Sequence, residues 1–178
     1  MVALSLLAGC SSPPAIPDAD LARVDNVLAL MKTRLELAAA VAREQWVARG
    51  PVDDSDDELR LVRDAVNRTA RYTLPPEVIH DFLQAQIDAA KQVQRSLHAQ
   101  WRSAPPAAAA TRPQDDARQT LAATTDPLLV ALSQAYPVLR REGGRTVLEQ
   151  RMKIVLHGVP GGAPAATKAV APLWALAM

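Results

Sequence analysis

The stretch DLARVDNVLALMKTRLELAAAVAREQWVA, residues 20–48, decides the fold class. Its apolar residues recur at three- and four-residue steps, which is the spacing of one face of an α-helix. They are Leu21, Val24, Leu28, Met31, Leu35, Ala38 and Ala42. Asp18 or Asp20 can cap the start of this helix. Arg49-Gly50-Pro51 should end it, because glycine commonly serves as a C-cap and proline cannot continue a helix. We predict a helix of about seven turns.

A second long amphipathic stretch, residues 75–102, follows Pro75-Pro76. Between the two long stretches, Ser55-Asp56-Asp57-Glu58 has the pattern of a capping box, with Ser55 at the N-cap and Glu58 at N3. It should open a shorter helix that runs through Thr69. The chain has few glycines (7) and few aromatic residues (3%), a composition that favours helices. We therefore predict an all-α, single-domain helical bundle over residues 18–178, with long first and third helices.

The last third of the chain gives a weaker signal. Residues 103–113 are rich in proline and alanine and should form a flexible or extended connection. Residues 114–142 should form helices with a kink or a break at Asp126-Pro127 and Tyr136-Pro137. A further helix is predicted over residues 145–157. The apolar tail after Gly158 is too short to span a bilayer, so we expect a small helix that caps the core.

Residues 1–17 have the pattern of a bacterial lipoprotein signal and tether. An apolar run ends in Leu7-Ala8-Gly9-Cys10, and a polar segment with three prolines follows. In such signals the cysteine is lipidated, which predicts a periplasmic chain that meets a membrane only through a lipid anchor at Cys10. The alternative is an N-terminal tail with an incidental cysteine. With no second cysteine, an intrachain disulfide is excluded.

Charge and motifs exclude several classes of function. The net charge of +1 argues against nucleic acid as a partner. His80, His98 and His157 lack the spacing of metal ligands, and the acidic run at residues 53–58 departs from the pattern of a calcium loop. The sequence contains no glycine-rich phosphate loop and no nucleophile elbow. We therefore predict no metal and no cofactor. The sequence is also compatible with a homodimer.

Polar residues interrupt the apolar faces of the two long stretches at Arg34, Gln45, Gln86 and Gln94. Burying such a group without a partner costs on the order of a few kcal/mol, so we expect a small polar ligand opposite them. Arg34 and Gln45 project from the same side of their helix, about three turns apart. If the two long helices face each other, Arg34, Gln45 and Gln94 can line one cavity. The competing interpretation is that Arg34 reaches solvent and the glutamines bond to each other.

A series of short segments recurs in the order and spacing of a known family. They are Thr33-Arg34-Leu35-Glu36-Leu37-Ala38, then Trp46, Pro51-Val52-Asp53-Asp54, Leu74-Pro75-Pro76-Glu77-Val78, Gln86-Ile87-Asp88-Ala89-Ala90-Lys91-Gln92-Val93-Gln94, Trp101-Arg102 and Asp115-Asp116-Ala117-Arg118. In these segments the chain resembles the secreted, all-helical chorismate mutases of bacteria, the gamma subclass. The resemblance covers the larger part of the chain, and an export signal agrees with it.

The resemblance implies a Claisen rearrangement of chorismate to prephenate, in which no proton is transferred and no covalent intermediate forms. Catalysis then rests on restraining the substrate in its reactive conformer and on electrostatic stabilisation. By resemblance, Arg34 and Arg118 bind the substrate carboxylates, and Asp54 matches an acidic position before the second helix. Gln94 matches the residue that contacts the breaking ether oxygen.

Other positions depart from the family pattern. Where the family has a lysine that donates to the ether oxygen and to a carboxylate, this chain has Gln45. Asp57 stands at the position of an arginine, and Leu61 at the position of a glutamine. Ala90 replaces a small polar residue. Loss of a cation from such a site removes several kcal/mol of transition-state stabilisation.

Three hypotheses follow for the function. The first is an exported chorismate mutase with an altered site, in which Lys91, Arg60 or Arg63 can replace the missing cation. The second is a catalytically impaired homologue that binds a small carboxylated metabolite or a protein partner. The third is a structural helical lipoprotein. The first two require Arg34, Gln94 and Arg118 to converge on one pocket.

Overall fold

A computed structural model of the chain describes residues 16–53, 55–106 and 117–178. Every regular element in these ranges is helical. The helices are α1 (Asp18–Ala48), α2 (Ser55–Val66), α3 (Thr69–Tyr72), α4 (Pro76–Ser103), α5 (Ala117–Ala123), α6 (Thr125–Leu139), α7 (Gly144–Val155) and α8 (Gly162–Leu176). The predicted all-α fold is confirmed. The predicted long third helix is α4, since the short α3 precedes it.

The two long helices form the centre of the molecule. Helix α4 packs between α1 and α8 and also carries α2, while α1 contacts α5, α6 and α7. Their shared core contains fully buried side chains from both long helices and from α6, among them Leu28, Met31, Phe82, Leu83, Leu129 and Leu132. The predicted periodicity therefore marks the faces that the helices bury.

The start of α1 differs from the prediction. Pro17 occupies the N-cap, and no side chain caps the helix, so the prediction of a cap from Asp18 or Asp20 is wrong. Asp20 instead lies within the helix and is buried. Its carboxylate forms ion pairs with Arg23 at 2.8 Å and with Arg141, beyond α6, at 3.0 Å. The Asp20 carboxylate therefore forms a tertiary ion pair with Arg141 and does not cap the helix.

The end of α1 lies one residue before the predicted cap. Arg49 takes the left-handed conformation with φ 53°, and the Gly50 N–H donates to the carbonyl of Gln45 at 2.9 Å. This is the hydrogen-bond pattern that closes many helices, although glycine usually occupies the left-handed position. The helix therefore ends directly before the predicted Arg49-Gly50-Pro51 segment, with Arg49 and not Gly50 in the left-handed conformation.

Helix α2 begins at Ser55 and ends at Val66, before the predicted Thr69. Asp54 and the side chain of Ser55 lie outside the described residues, so the Ser55 half of the predicted capping box does too. The Glu58 carboxylate contacts Lys91 on α4. This contact ties α2 to α4.

Prolines do not break the helices at the predicted places. The break falls at Thr124, between α5 and α6. Pro127 lies in the first turn of α6, where a backbone N–H would have no acceptor within the helix. Pro137 lies in the last turn, where the loss of one hydrogen bond interrupts little of the helix. The predicted broken pair of helices is therefore α5 and α6, with the break at Thr124, two residues before Asp126, and with no break at Pro137.

The predicted helix over residues 145–157 is α7, and the apolar tail is α8. Helix α8 packs on α4 and buries Ala165, Ala169, Val170 and Leu173. The turn before α8 lies close to α4. A Cβ atom on Gly161, which has φ +76°, would stand only 3.0 Å from the Val93 side chain. The tail therefore caps the core as expected. None of the helices in the described ranges combines the length and apolar character of a membrane-spanning helix.

Candidate active site

One cavity of about 300 Å³ lies between α1, α2, α4 and α5. Apolar side chains form much of its wall, and polar and charged groups are distributed among them. The lining residues are Arg34, Val41, Gln45, Val52, Asp57, Glu58, Leu61, Ile87, Ala90, Lys91, Gln94, Arg118, Leu121 and Ala122. A small, largely apolar cavity with a few polar groups has the usual character of a site for a small molecule.

The structure places most of the predicted site residues at this cavity. Arg34, Gln94 and Arg118 converge on it, as a ligand site requires. The positions that depart from the family pattern line it too, and they are Gln45, Asp57, Leu61 and Ala90. Asp54 lies outside the described residues. These side chains therefore lie at the cavity, and their roles toward a ligand stay predictions.

Arg34 is buried in the cavity wall, with 4% of its surface exposed. Its Nη1 donates to the Leu121 carbonyl at 3.0 Å and to Thr124 Oγ1 at 2.6 Å, while its Nε has no partner among the residues that the structure describes. None of the described carboxylates forms an ion pair with it. Burial lowers the pKa of Arg34 to about 10, so it is still a cation at neutral pH. A buried positive charge that lacks a counter-ion in the described part of the chain is suited to an anionic ligand.

The glutamines beside Arg34 are also buried, and their side chains lack partners in the described ranges. Gln45 is 6% exposed and Gln94 is 5% exposed. Neither side-chain amide forms a hydrogen bond with a described residue, and the Oε1 atom of each is unpartnered. Rotation of an amide exchanges its donor and acceptor, so each can offer N–H groups to a ligand. The interpretation with a solvated Arg34 and mutually bonded glutamines is wrong.

Gln86, the fourth polar residue on the apolar helix faces, makes a packing contact. Its Nε2 donates to the carbonyl of Ala169 on α8 at 2.9 Å. This bond fastens α8 to α4 and is not part of the cavity. Of the four polar residues on the apolar helix faces, three line the cavity and one makes a packing contact.

Lys91 contributes a further cation to the cavity wall, one helical turn before Gln94. Its ammonium group lies 2.5 Å from Glu58 and 3.2 Å from Asp53, and 15% of the side chain is exposed. Burial acts to lower the pKa of Lys91, but the hydrogen bonds and charges of Glu58 and Asp53 outweigh it and raise that pKa. Lys91 is therefore a fixed positive charge near neutral pH.

Asp57 forms an ion pair with Arg60 on α2, and 57% of its side chain is exposed. Solvent and the guanidinium group both weaken the field that this carboxylate exerts within the cavity. Arg60 and the exposed Arg63 do not line the cavity. Among the three cations predicted as substitutes, Lys91 is the one that the structure places at the site.

The described part of the chain contains no group of three or more His, Cys, Asp or Glu side chains arranged to hold a metal ion.

No family model matches the chain. A curated relative, the secreted chorismate mutase of Mycolicibacterium smegmatis, is 28% identical over 155 residues, which cover 86% of this chain and 85% of the relative. The crystal structure of chorismate mutase from Burkholderia thailandensis aligns with a TM-score of 0.76 and 27% identity, over 85% of this chain and 98% of that one. The chain is a homologue of the secreted, all-helical chorismate mutases. Secreted chorismate mutase from Yersinia pestis shares the fold, with a TM-score of 0.66 and 20% identity over 83% of this chain and 94% of that one.

In this chorismate mutase homologue, sequence reasoning missed the groups that hold the cavity residues in place. Leu121 and Thr124 anchor Arg34 from a distance of nearly ninety residues in the sequence. No periodicity connects positions so far apart. The sequence pattern predicts a capping role for Glu58, and it gives no sign of the contact that Glu58 makes with Lys91 on α4.

Replacing Arg34 by methionine tests whether its charge is there for a ligand. We expect Arg34→Met to raise the free energy of unfolding by about 1 kcal/mol, because the cost of burying the charge exceeds the modest net gain from its hydrogen bonds to Leu121 and Thr124. Urea denaturation measures the change. Arg63→Met, at an exposed position on α2, is the matched control and should have little effect. A strongly destabilised Arg34→Met protein would show that Arg34 is a structural residue.

Proposed function

We propose that the chain is a chorismate mutase that rearranges chorismate to prephenate. The observation that carries this proposal is the convergence of Arg34, Gln45 and Gln94, all buried and incompletely partnered, on one cavity in a fold shared with chorismate mutases. The rearrangement breaks a C–O bond and forms a C–C bond within one molecule. It requires no nucleophile and no proton transfer, so binding and electrostatics can supply the catalysis.

Arg34 binds a carboxylate of the substrate in this mechanism. Its planar guanidinium can form two parallel hydrogen bonds to a carboxylate. The bonds to Leu121 and Thr124 hold the group in one orientation before the substrate arrives. A guanidinium fixed in advance loses little side-chain entropy on binding. Arg118, on the facing helix α5, is suited to the second carboxylate.

Gln94 stabilises the charge that develops on the ether oxygen. Its amide is buried beside Ala90 and Ile87 and forms no hydrogen bond with the described residues. An N–H donor aimed at developing charge in a site shielded from water is worth more than the same donor in water. Gln45 can supply a second neutral donor where the family pattern has a lysine.

Lys91 supplies a cation from α4, which compensates in part for the neutral Gln45 on α1. The described lining residues include three cations, Arg34, Lys91 and Arg118, and two carboxylates, Asp57 and Glu58. The excess of positive charge favours an anionic substrate. Glu58 and Asp53 hold the Lys91 ammonium group at the wall, where the substrate can compete for its hydrogen bonds.

Mutase activity should appear as loss of chorismate absorbance with purified protein. Arg34→Met should abolish turnover, and Gln94→Leu should lower kcat by about 10²–10³-fold, since each removes stabilisation of the transition state. Gln100→Leu, at an exposed position on the same helix as Gln94, should match the wild type. A folded, helical wild type without turnover would contradict the proposal and favour the binding of another carboxylated metabolite.

The altered position at Gln45 should limit the rate. We expect Gln45→Lys to raise kcat/KM at least about tenfold, because a buried cation adds a charge-assisted donor to the site. Asp57→Arg should add little, since Asp57 lies at the exposed rim beside Arg60. Steady-state kinetics of both single variants and the double variant measure this. A higher kcat/KM in Asp57→Arg alone would contradict this prediction and show that the charge at the cavity rim limits the rate.

We also propose that the chain acts outside the cytoplasm, anchored by lipid at Cys10. Leu7-Ala8-Gly9-Cys10 supports this proposal, and the Mycolicibacterium smegmatis relative is a secreted protein. Cys10 lies outside the described residues.

The anchor can be tested by fractionating bacteria that express the natural N-terminus. Wild-type protein should sediment with membranes and incorporate labelled fatty acid, because acyl chains partition into the bilayer. Cys10→Ser should abolish both, and the neighbouring Ser12→Ala should change neither. Unlabelled wild-type protein in the soluble fraction would contradict lipidation.

A further inference from the structure

Helix α5 is held on α1 by a small apolar cluster of its own. Ala117 of α5 packs with Ala40 and Val41 of α1, and Leu121 covers them. These residues are separate from the main core of the bundle. Because a helix as short as α5 is not stable by itself in water, its position depends on these contacts, on hydrogen bonds to α1 and on its packing against α6.

The position of α5 determines the geometry of both cavity arginines. Arg118 lies on α5 itself. Arg34 lies on α1, but its Nη1 donates to the carbonyl of Leu121 on α5 and to the hydroxyl of Thr124 directly after α5. A shift of α5 would therefore move one guanidinium group and release the other.

Glu44 connects α1 to the first residue of α5. The Ala117 N–H donates to Glu44 Oε1 at 2.9 Å, across 73 positions of sequence. The first N–H groups of a helix have no acceptor within it, and a carboxylate at this end also interacts favourably with the helix dipole. Glu44 directly precedes Gln45 but does not itself line the cavity.

We propose that Glu44 is a positioning residue, which fixes α5 on α1 and thereby sets Arg118 and Arg34 for the substrate. The docking role stands on the geometry alone, while its effect on turnover rests on the proposed mutase function. Glu44 acts through the two arginines and needs no contact with the substrate.

The first measurement is hydrogen–deuterium exchange of the full chain, which does not depend on activity. Glu44→Ala should speed exchange of the amides in residues 117–123. Glu44→Gln keeps an acceptor oxygen and should stay close to the wild type. Glu36→Ala, on the exposed side of the same helix, is the control. Unchanged exchange in Glu44→Ala would overturn the docking role.

The second measurement is turnover of chorismate. Glu44→Ala should lower kcat/KM about tenfold or more, since small misplacements of binding groups cost large factors in rate. Glu44→Gln should restore most of it, and the melting temperature should stay close to the wild-type value in both. In an Arg118→Ala background, Glu44→Ala should have a smaller effect than in the wild type, because the two residues act in series.

The outcomes separate the two proposals. Faster exchange with unchanged kcat/KM in Glu44→Ala would overturn the positioning role. A full effect of Glu44→Ala in the Arg118→Ala background would overturn action through Arg118. A wild type without turnover would overturn the mutase function, and the exchange measurement would then decide the role of Glu44 on its own.

Discussion

A buried guanidinium without a counter-ion among the described residues is the constraint on which the site depends. Arg34 projects from the longest helix of the bundle into the space between α1, α4 and α5, and its bonds go to the carbonyl of Leu121 and the hydroxyl of Thr124. Neutral acceptors keep the side chain in place without cancelling its charge. A carboxylate in their position would have stabilised the free protein and weakened the attraction for an anion. The neighbouring glutamines follow the same principle, because their amides are ordered by packing and left without partners among the described residues.

The fold could be predicted from sequence because its two central helices are long and carry apolar residues at three- and four-residue steps. The apolar positions from Val24 to Ala42 and from Ile79 to Val93 mark the surfaces that α1 and α4 bury. The ends of the elements were less predictable. Asp20 has the chemistry of a cap, yet an ion pair with Arg141 holds it, and this arginine follows a different helix. Pro127 has the chemistry of a helix breaker, but a proline in the first turn costs the helix nothing.

The site was predictable where its signal is local. A polar residue on an apolar helix face identified Arg34, Gln45 and Gln94 without any knowledge of their neighbours, and the family resemblance added Arg118. The same signal selected Gln86, because sequence alone does not distinguish a backbone carbonyl of α8 from a ligand. The supporting contacts, between Arg34 and Thr124 and between Lys91 and Glu58, depend on how separate helices meet. Such pairs become visible once the bundle is assembled.

The rigid helix α1 has a consequence for selectivity. Arg34 and Gln45 belong to one uninterrupted stretch of backbone hydrogen bonds, which sets their separation along the axis at about 16 Å between Cα atoms. The backbone positions of Arg34 and Gln45 therefore stay at a fixed distance, and they cannot move closer together to fit a shorter molecule. A ligand with the right charges at the wrong spacing would satisfy one group and leave the other buried without a partner. Such a mismatch rejects a ligand by lost hydrogen bonds, without any steric clash.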